Sequence, residues 1–321
     1  MNQPQPDHTP GGPAYQGRLL PRPDDEVVDQ GLGFDVRTLL SRRRMLKAFG
    51  LGAGMFALAA CGVDAATTSE TTTSSGSGLT EIPDETAGPY PGDDSNGPDV
   101  LEESGILRSD IRSSFGTSTT TAEGVPLEFE LTLLDLAKDA APFAGVAVYA
   151  WHCDREGRYS MYSSGVENEN YLRGVQVSDA DGKVRFTSIV PACYTGRWPH
   201  IHFEVYPDEA SITDATTAIA TSQLALPKDM VDAVDATTGY EGSVANLAQI
   251  TLDSDNVFGD DGAEHQLAAV TGDVTSGYVA TLTVPVDTAT EPTGGAAPGG
   301  GRGAPGGEPP SGAPSAPGTP G

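Results

Sequence analysis

Positive charge is scarce in this chain: 18 Lys and Arg stand against 45 Asp and Glu among 321 residues, a formal net charge of -27. A field of that sign repels phosphate polymers and excludes binding of nucleic acid, or another polyanion, through general electrostatics. Cysteine is scarcer still, with only three residues, Cys61, Cys153 and Cys193. None is spaced as Cys-x-x-Cys, which argues against a thiolate zinc site. The apolar run from Ala48 to Ala60 is too short to span a bilayer as a mature helix. Helical periodicities are few, and no repeat of the solenoid type is visible.

What is present reads as strand. Leu127, Phe129, Leu131 and Leu133 recur at every second position, as do Val146, Val148 and Ala150, then Val184, Phe186 and Ser188, then Tyr278, Ala280, Leu282 and Val284. Period-two alternation of this kind marks half-buried strands. Asp181-Gly182, between Val175–Val177 and Val184–Phe186, carries hairpin-turn chemistry. The expected fold is all-β: a β-sandwich core with long functional loops over residues 82–287, flanked by a disordered N-terminal leader and a disordered C-terminal tail. Some two hundred residues suit one such domain with a full core.

The flanks carry an address. Ser41-Arg-Arg-Arg-Met-Leu-Lys47 resembles a twin-arginine export signal, and Leu58-Ala-Ala-Cys61 resembles a lipoprotein cleavage box. Residues 1–60 are therefore read as a signal region. The Thr/Ser/Gly-rich stretch at 61–81 reads as a tether, and the Gly/Pro/Ala-rich residues 288–321 as a tail with too little apolar surface to fold. This predicts an exported protein held at the outer face of the cytoplasmic membrane by a lipid on Cys61, membrane contact being limited to that anchor. Free secretion is the alternative.

The chemistry concentrates in Tyr194-Thr-Gly-Arg197-Trp-Pro-His200-Ile-His202-Phe203. Alternation of Ile201, Phe203 and Val205 puts His200 and His202 together on the other face of a strand, where two ring nitrogens can reach one ion. A His-x-His alone is as readily surface decoration or a satisfied core pair, and a lone Tyr is an ordinary strand residue. Upstream, Trp151-His-Cys-Asp-Arg-Glu-Gly157-Arg-Tyr159-Ser160 and Pro191-Ala-Cys-Tyr194 add two phenols in order. Phenolates are hard anionic donors. Two of them with two neutral imidazoles suit a trivalent iron, on which they leave about one net positive charge, better than zinc.

These motifs, with Glu85-Thr-Ala-Gly-Pro-Tyr90 before them, resemble those of the intradiol ring-cleavage dioxygenases, and their Trp-His-Cys-Asp and Tyr-x-Gly-Arg forms look closest to an extracytoplasmic branch. The resemblance implies an Fe(III) site with Tyr159, Tyr194, His200 and His202 as ligands, and a small aromatic diol and O2 as substrates. It implies that Tyr194 leaves the metal as substrate gives up its protons. Arg197 is expected to stabilise negative charge near the attacked carbon, and Gln223 to hydrogen-bond beside the substrate. The implied reaction opens a catechol-type ring between its two hydroxylated carbons to a muconate-type dicarboxylate. The sequence departs from the family pattern at Cys193, where many relatives carry Gly, and at Trp198-Pro199.

Two other function classes stay open: a non-catalytic cell-surface β-sandwich binding module that keeps the scaffold, and a zinc-dependent hydrolase, which the phenol pair disfavours. Cys153 and Cys193 adjoin the two tyrosine motifs, so an exported domain is expected to pair them as a disulfide. Two buried free thiols are the competing reading.

Overall fold

The computed structural model describes residues 7–9, 12–15, 18–19 and 78–294. The export box, Cys61, most of the tether and the tail from residue 295 lie outside the described residues. In the leader, β1 (Asp7–Thr9), β2 (Gly12–Tyr15) and β3 (Arg18–Leu19) pair antiparallel in the order β1-β2-β3.

The second unit, from Thr73 onward, is built on two sheets. One has the order β10-β9-β6-β7, formed by β6 (Ala147–Trp151), β7 (Arg173–Val177), β9 (His200–Tyr206) and β10 (Ala220–Ala225). The other centres on β4 (Pro126–Asp135), with β12 (Gly277–Val286) parallel along one edge and β8 (Lys183–Ile189) antiparallel to it; β5 (Ala141–Pro142) pairs the end of β4 and β11 (Ala269–Asp273) pairs β12.

The alternating residues seen in the sequence meet between these sheets. Leu127, Phe129, Leu131 and Leu133 of β4, Val184 and Phe186 of β8, and Tyr278 to Val286 of β12 pack with Val148 and Ala150 of β6, Ile201, Phe203 and Val205 of β9, and Leu224 of β10 in one core. Phe129 lies directly opposite Phe186 in the ladder, with ring centroids 4.9 Å apart. Burying one such ring contributes about 1.5–3 kcal/mol.

The four-stranded sheet is buried on its other face as well. There Ala147, Tyr149, Trp151, Val175 and Tyr206 pack against Ala87, Val100, Leu101, Ile106 and Tyr159. The chain before β4 is laced to the sheets by backbone hydrogen bonds, Glu85 to Thr221 at 2.7 Å, Arg108 to Val175 at 3.0 Å and Ile111 to Thr187 at 3.0 Å. This second covered face is where the His pair points.

The expected β7–β8 hairpin is corrected. β7 pairs β6 and β8 pairs β4, so the Asp179–Lys183 turn carries the chain from one sheet to the other. Its hydrogen bonds are those of a tight turn, Gly182 N to Asp179 O at 3.0 Å and Lys183 N to the Asp179 carboxylate at 2.9 Å. Gly182 has φ +74°, and a Cβ there would stand 2.4 Å from the Leu133 carbonyl oxygen. A turn this tight against β4 suits a sheet-crossing corner as well as a hairpin. Two short helices also interrupt the all-β reading, α1 (Lys228–Asp235) and α2 (Glu241–Leu247), both in the segment between β10 and β11.

Candidate metal centre

One strand and two loops deliver the four predicted donors, and two neighbouring strands flank them. His200 and His202 project from β9 to the covered outer face, away from Ile201, Phe203 and Val205. Trp151, the last residue of β6, is the register partner of His202, and the two rings stack with centroids 4.9 Å apart and planes 5° from parallel. On the other side, Gln223 of β10 is also opposite His202.

The loop after β6 carries Tyr159. Asp154 shapes it, accepting the Glu156 and Arg158 backbone N–H groups at 2.9 and 3.0 Å, the Arg158 Nε at 2.9 Å and the Tyr171 hydroxyl at 3.0 Å. Tyr159 donates its backbone N–H to Ser163 Oγ at 2.9 Å, and its ring lies 5.0 Å from that of Tyr90. The loop after β8 carries Tyr194. It is gripped from behind by α2, whose Ser243 Oγ accepts the Cys193 N–H at 2.9 Å and whose Asn246 donates to the Cys193 carbonyl at 2.9 Å.

The four donor atoms converge. His200 Nε2 is 3.0 Å from His202 Nε2 and 3.4 Å from the Tyr194 hydroxyl, which is 3.5 Å from the Tyr159 hydroxyl. Ligands held about 2 Å from one first-row metal ion lie about 3 Å from one another, so these spacings fit a single coordination sphere. His200 Nδ1–H donates to the Trp198 carbonyl at 2.5 Å, which fixes the tautomer that leaves Nε2 as a lone pair. Burial, reinforced by the charge of Arg197, holds both imidazoles well below their usual pKa. Both rings therefore stand neutral. Burial also pushes the Tyr194 phenol up to about 12 and Tyr159 well above its usual value. A highly charged cation is what would favour their phenolates here. Among the described residues no group of three or more His, Cys, Asp or Glu gathers to hold an ion, so the candidate set depends on its phenols.

The two tyrosines differ in access. Tyr159 is buried, whereas Tyr194 is half-buried beside the exposed Thr195 and Gly196. Gly88, at φ +74°, brings the backbone onto the site, where a Cβ would lie 3.2 Å from His202 Cε1. Arg197 lies at the same edge. Its Nε bonds Asp255 at 3.0 Å, one terminal nitrogen donates to Gln223 Oε1 at 2.6 Å, and the other is 3.4 Å from His200 Nε2. Gln223 is anchored in turn by donating to the Thr86 carbonyl at 2.9 Å.

The structure thus gathers Tyr159, Tyr194, Arg197, His200, His202 and Gln223 at one place. It does not join the cysteines: both thiols are free and buried. Cys153 Sγ points to the Ala192 carbonyl and packs beneath the four-stranded sheet, while Cys193 Sγ points to the Arg197 carbonyl and packs with Trp198 and Phe258. Separate partners and separate packing clusters replace the expected disulfide. Sequence reading missed Asp255, which lies in a run with several other acids and has no motif around it. Trp151 was within reach, as the register partner that follows once β6 and β9 are paired.

A family model described as "Dioxygenase" matches residues 96–238, a span containing all six gathered residues. The chain is 31% identical over 91 residues to catechol 1,2-dioxygenase 1 of Acinetobacter lwoffii, covering 22% of this chain and 29% of that protein. It is 32% identical over 88 residues to chlorocatechol 1,2-dioxygenase of Pseudomonas sp. (strain P51), covering 22% and 35%. The chain thus spans about a third of the length of the curated relatives it matches. Its fold is similar to that of an intradiol ring-cleavage dioxygenase from Tetranychus urticae, with TM-score 0.54 at 20% identity, covering 67% of this chain and 98% of that one. Fold and matched span define a dioxygenase-type β-sandwich. In that span and in fold the chain resembles the intradiol ring-cleavage dioxygenases.

Proposed function

We propose that this chain is a non-haem Fe(III) dioxygenase, exported and held at the membrane's outer face through Cys61, that uses O2 to open a catechol-type ring between its two hydroxylated carbons. The product is a muconate-type dicarboxylate. The observation that carries this reading is the convergence of Tyr159, Tyr194, His200 and His202 within 3.0–3.5 Å steps, with Arg197 at the edge. A bound ferric ion would supply the Lewis acidity that draws electron density from the diol ring.

The chain's own residues have separable tasks. His200 and His202, fixed by strand register and by the Trp198 carbonyl, hold the ion's position. Tyr159, packed against Tyr90, and Tyr194, at the accessible edge, would complete the set that holds the ion, and the Tyr194 oxygen is the one placed to take a proton from an incoming diol hydroxyl. Arg197 offers the terminal nitrogen not bound by Asp255 or Gln223 to negative charge developing on the ring. The packed rings of Tyr90, Tyr162 and Trp151 back the donors and keep water from the buried side.

Iron-loaded protein should be coloured by tyrosinate-to-iron charge transfer, should change colour with catechol, and should consume one O2 for each diacid formed. A colourless protein that retains zinc rejects the reading. Tyr194→Phe should lower turnover by roughly a hundredfold or more while a non-reacting diol still binds. Unchanged turnover would refute the role, and a wild-type chain that binds diols without turnover would favour the binding module. The address is tested by the mass of protein from the native host, expected to begin at lipid-modified Cys61.

A further inference from the structure

We infer that Asp255 is the positioning residue of this site, one carboxylate that holds both the Arg197 guanidinium and the backbone that orients His200. Its role at the metal rests on the proposed function; its hold on Arg197 does not. Asp255 lies beyond the span matched by the family model and 58 positions from Arg197.

The carboxylate is fully buried and its two oxygens are saturated. Oδ2 accepts Arg197 Nε at 3.0 Å and the Trp198 N–H at 2.7 Å; Oδ1 accepts the Val257 and Phe258 N–H groups at 2.8 and 3.1 Å. The preceding turn is set by a capping box between Thr251 and Ser254, which leaves Asp255 at its C-terminal end. Phe258 follows within the same loop, and its ring lies 5.8 Å from the guanidinium carbon. The loop therefore presents one anion and one aromatic surface to the same cation.

A guanidinium is planar, so fixing two of its edges fixes the third. Asp255 takes Nε and Gln223 takes one terminal nitrogen, which directs the remaining one at the donor cluster, 3.4 Å from His200 Nε2. Without the carboxylate, the one side-chain oxygen left holding the guanidinium is Gln223 Oε1, at one terminal nitrogen. The second connection runs through Trp198: Asp255 accepts its N–H, and its carbonyl accepts His200 Nδ1–H. One buried anion therefore sets the direction of a charge-stabilising group and supports the peptide that selects a ligand's tautomer.

The test uses the full chain labelled with 15N-arginine, with the Arg197 Nε–H signal identified by its loss in Arg197→Lys. In metal-free wild type that proton should exchange with solvent slowly, and in Asp255→Asn at least about tenfold faster. In iron-loaded Asp255→Asn the charge-transfer band should persist, KM for catechol should stay within about threefold, and kcat should fall roughly tenfold to a hundredfold, with part recovered in Asp255→Glu. Wild-type exchange and kcat in Asp255→Asn, or loss of kcat only in proportion to lost folded protein, overturns the inference. Should Asp255→Asn fail to fold, an Arg197 Nε–H in wild type that exchanges as fast as that of the exposed Arg185 overturns it equally. A wild type with a protected Arg197 Nε–H that neither binds iron nor opens catechol sinks the functional reading and leaves the positioning role standing.

Discussion

His152 should make the folded chain sensitive to mild acid, through a group that takes no part in ligation. It follows Trp151 at the end of β6 and is 1% exposed. Its Nδ1–H donates to the Cys153 carbonyl at 2.7 Å, and its Nε2 accepts the Ser188 hydroxyl at 2.7 Å. Both bonds are satisfied by the neutral ring, and a charged ring would have to be buried with them. Burial pushes its pKa down to about 4, against the opposing pull of the Cys153 carbonyl and of Asp154. A free His titrates near 6.5, so between about pH 6.5 and 4 the unfolded chain binds a proton that the folded chain refuses. The stability tied to the neutral ring is therefore fully present above pH 6.5 and is lost as pH falls toward 4. The gap between the free ring and the buried one corresponds to about 3 kcal/mol. Urea unfolding at pH 7, 5.5 and 4 measures this against His152→Gln, whose amide can keep one donor and one acceptor in place. Wild type should lose about 3 kcal/mol more than the variant across that range. His200 and His202 titrate in both proteins, so the difference reports His152 together with its repulsion of that pair. Equal losses in the two proteins would refute the buried neutral ring.

Two further outcomes follow from the geometry. Gly88→Ala should weaken iron binding and lower stability by about 1 kcal/mol or more, because the position has φ +74° and its new methyl would press on His202 Cε1; titration with ferric ion and thermal melting read the two effects, and an unaltered iron affinity would count against close approach. Cys153 and Cys193 should both react with a thiol reagent after denaturation without reductant, whereas in the native chain both should be slow; two alkylation-resistant cysteines in the denatured chain would restore the disulfide.

Much of the fold was legible because the strands that build the core are buried on one face and alternate. Leu127 to Leu133 and Tyr278 to Val284 needed nothing more than their period. β6 and β9 were less plain, since both are buried on both faces and the outer cover comes from residues 82–115 and 152–172, which carry no strand period. Asp181-Gly182 fixes a tight reversal, but its chemistry is indifferent to whether the next strand returns to the same sheet. The donor set was legible because a strand's alternation and short motif spacing carry it. Gln223 stands far from His202 in sequence, and only the β9–β10 ladder, after two intervening turns at Glu209–Thr213 and Ala215–Thr217, sets it opposite that ring. Asp255 had no such guide, being joined to Arg197 only in three dimensions.

The register that sets Trp151, His202 and Gln223 side by side across β6, β9 and β10 also decides which changes of length the site tolerates. Deleting or inserting one residue inside any of those strands would turn its contribution through half a revolution, carrying an imidazole into the greasy interior and a Phe or Ile toward the donor cluster. Residues added between Tyr206 and Ala220 would leave the row untouched. Lineages of this protein should therefore differ freely in that connection and keep these three strands at constant count.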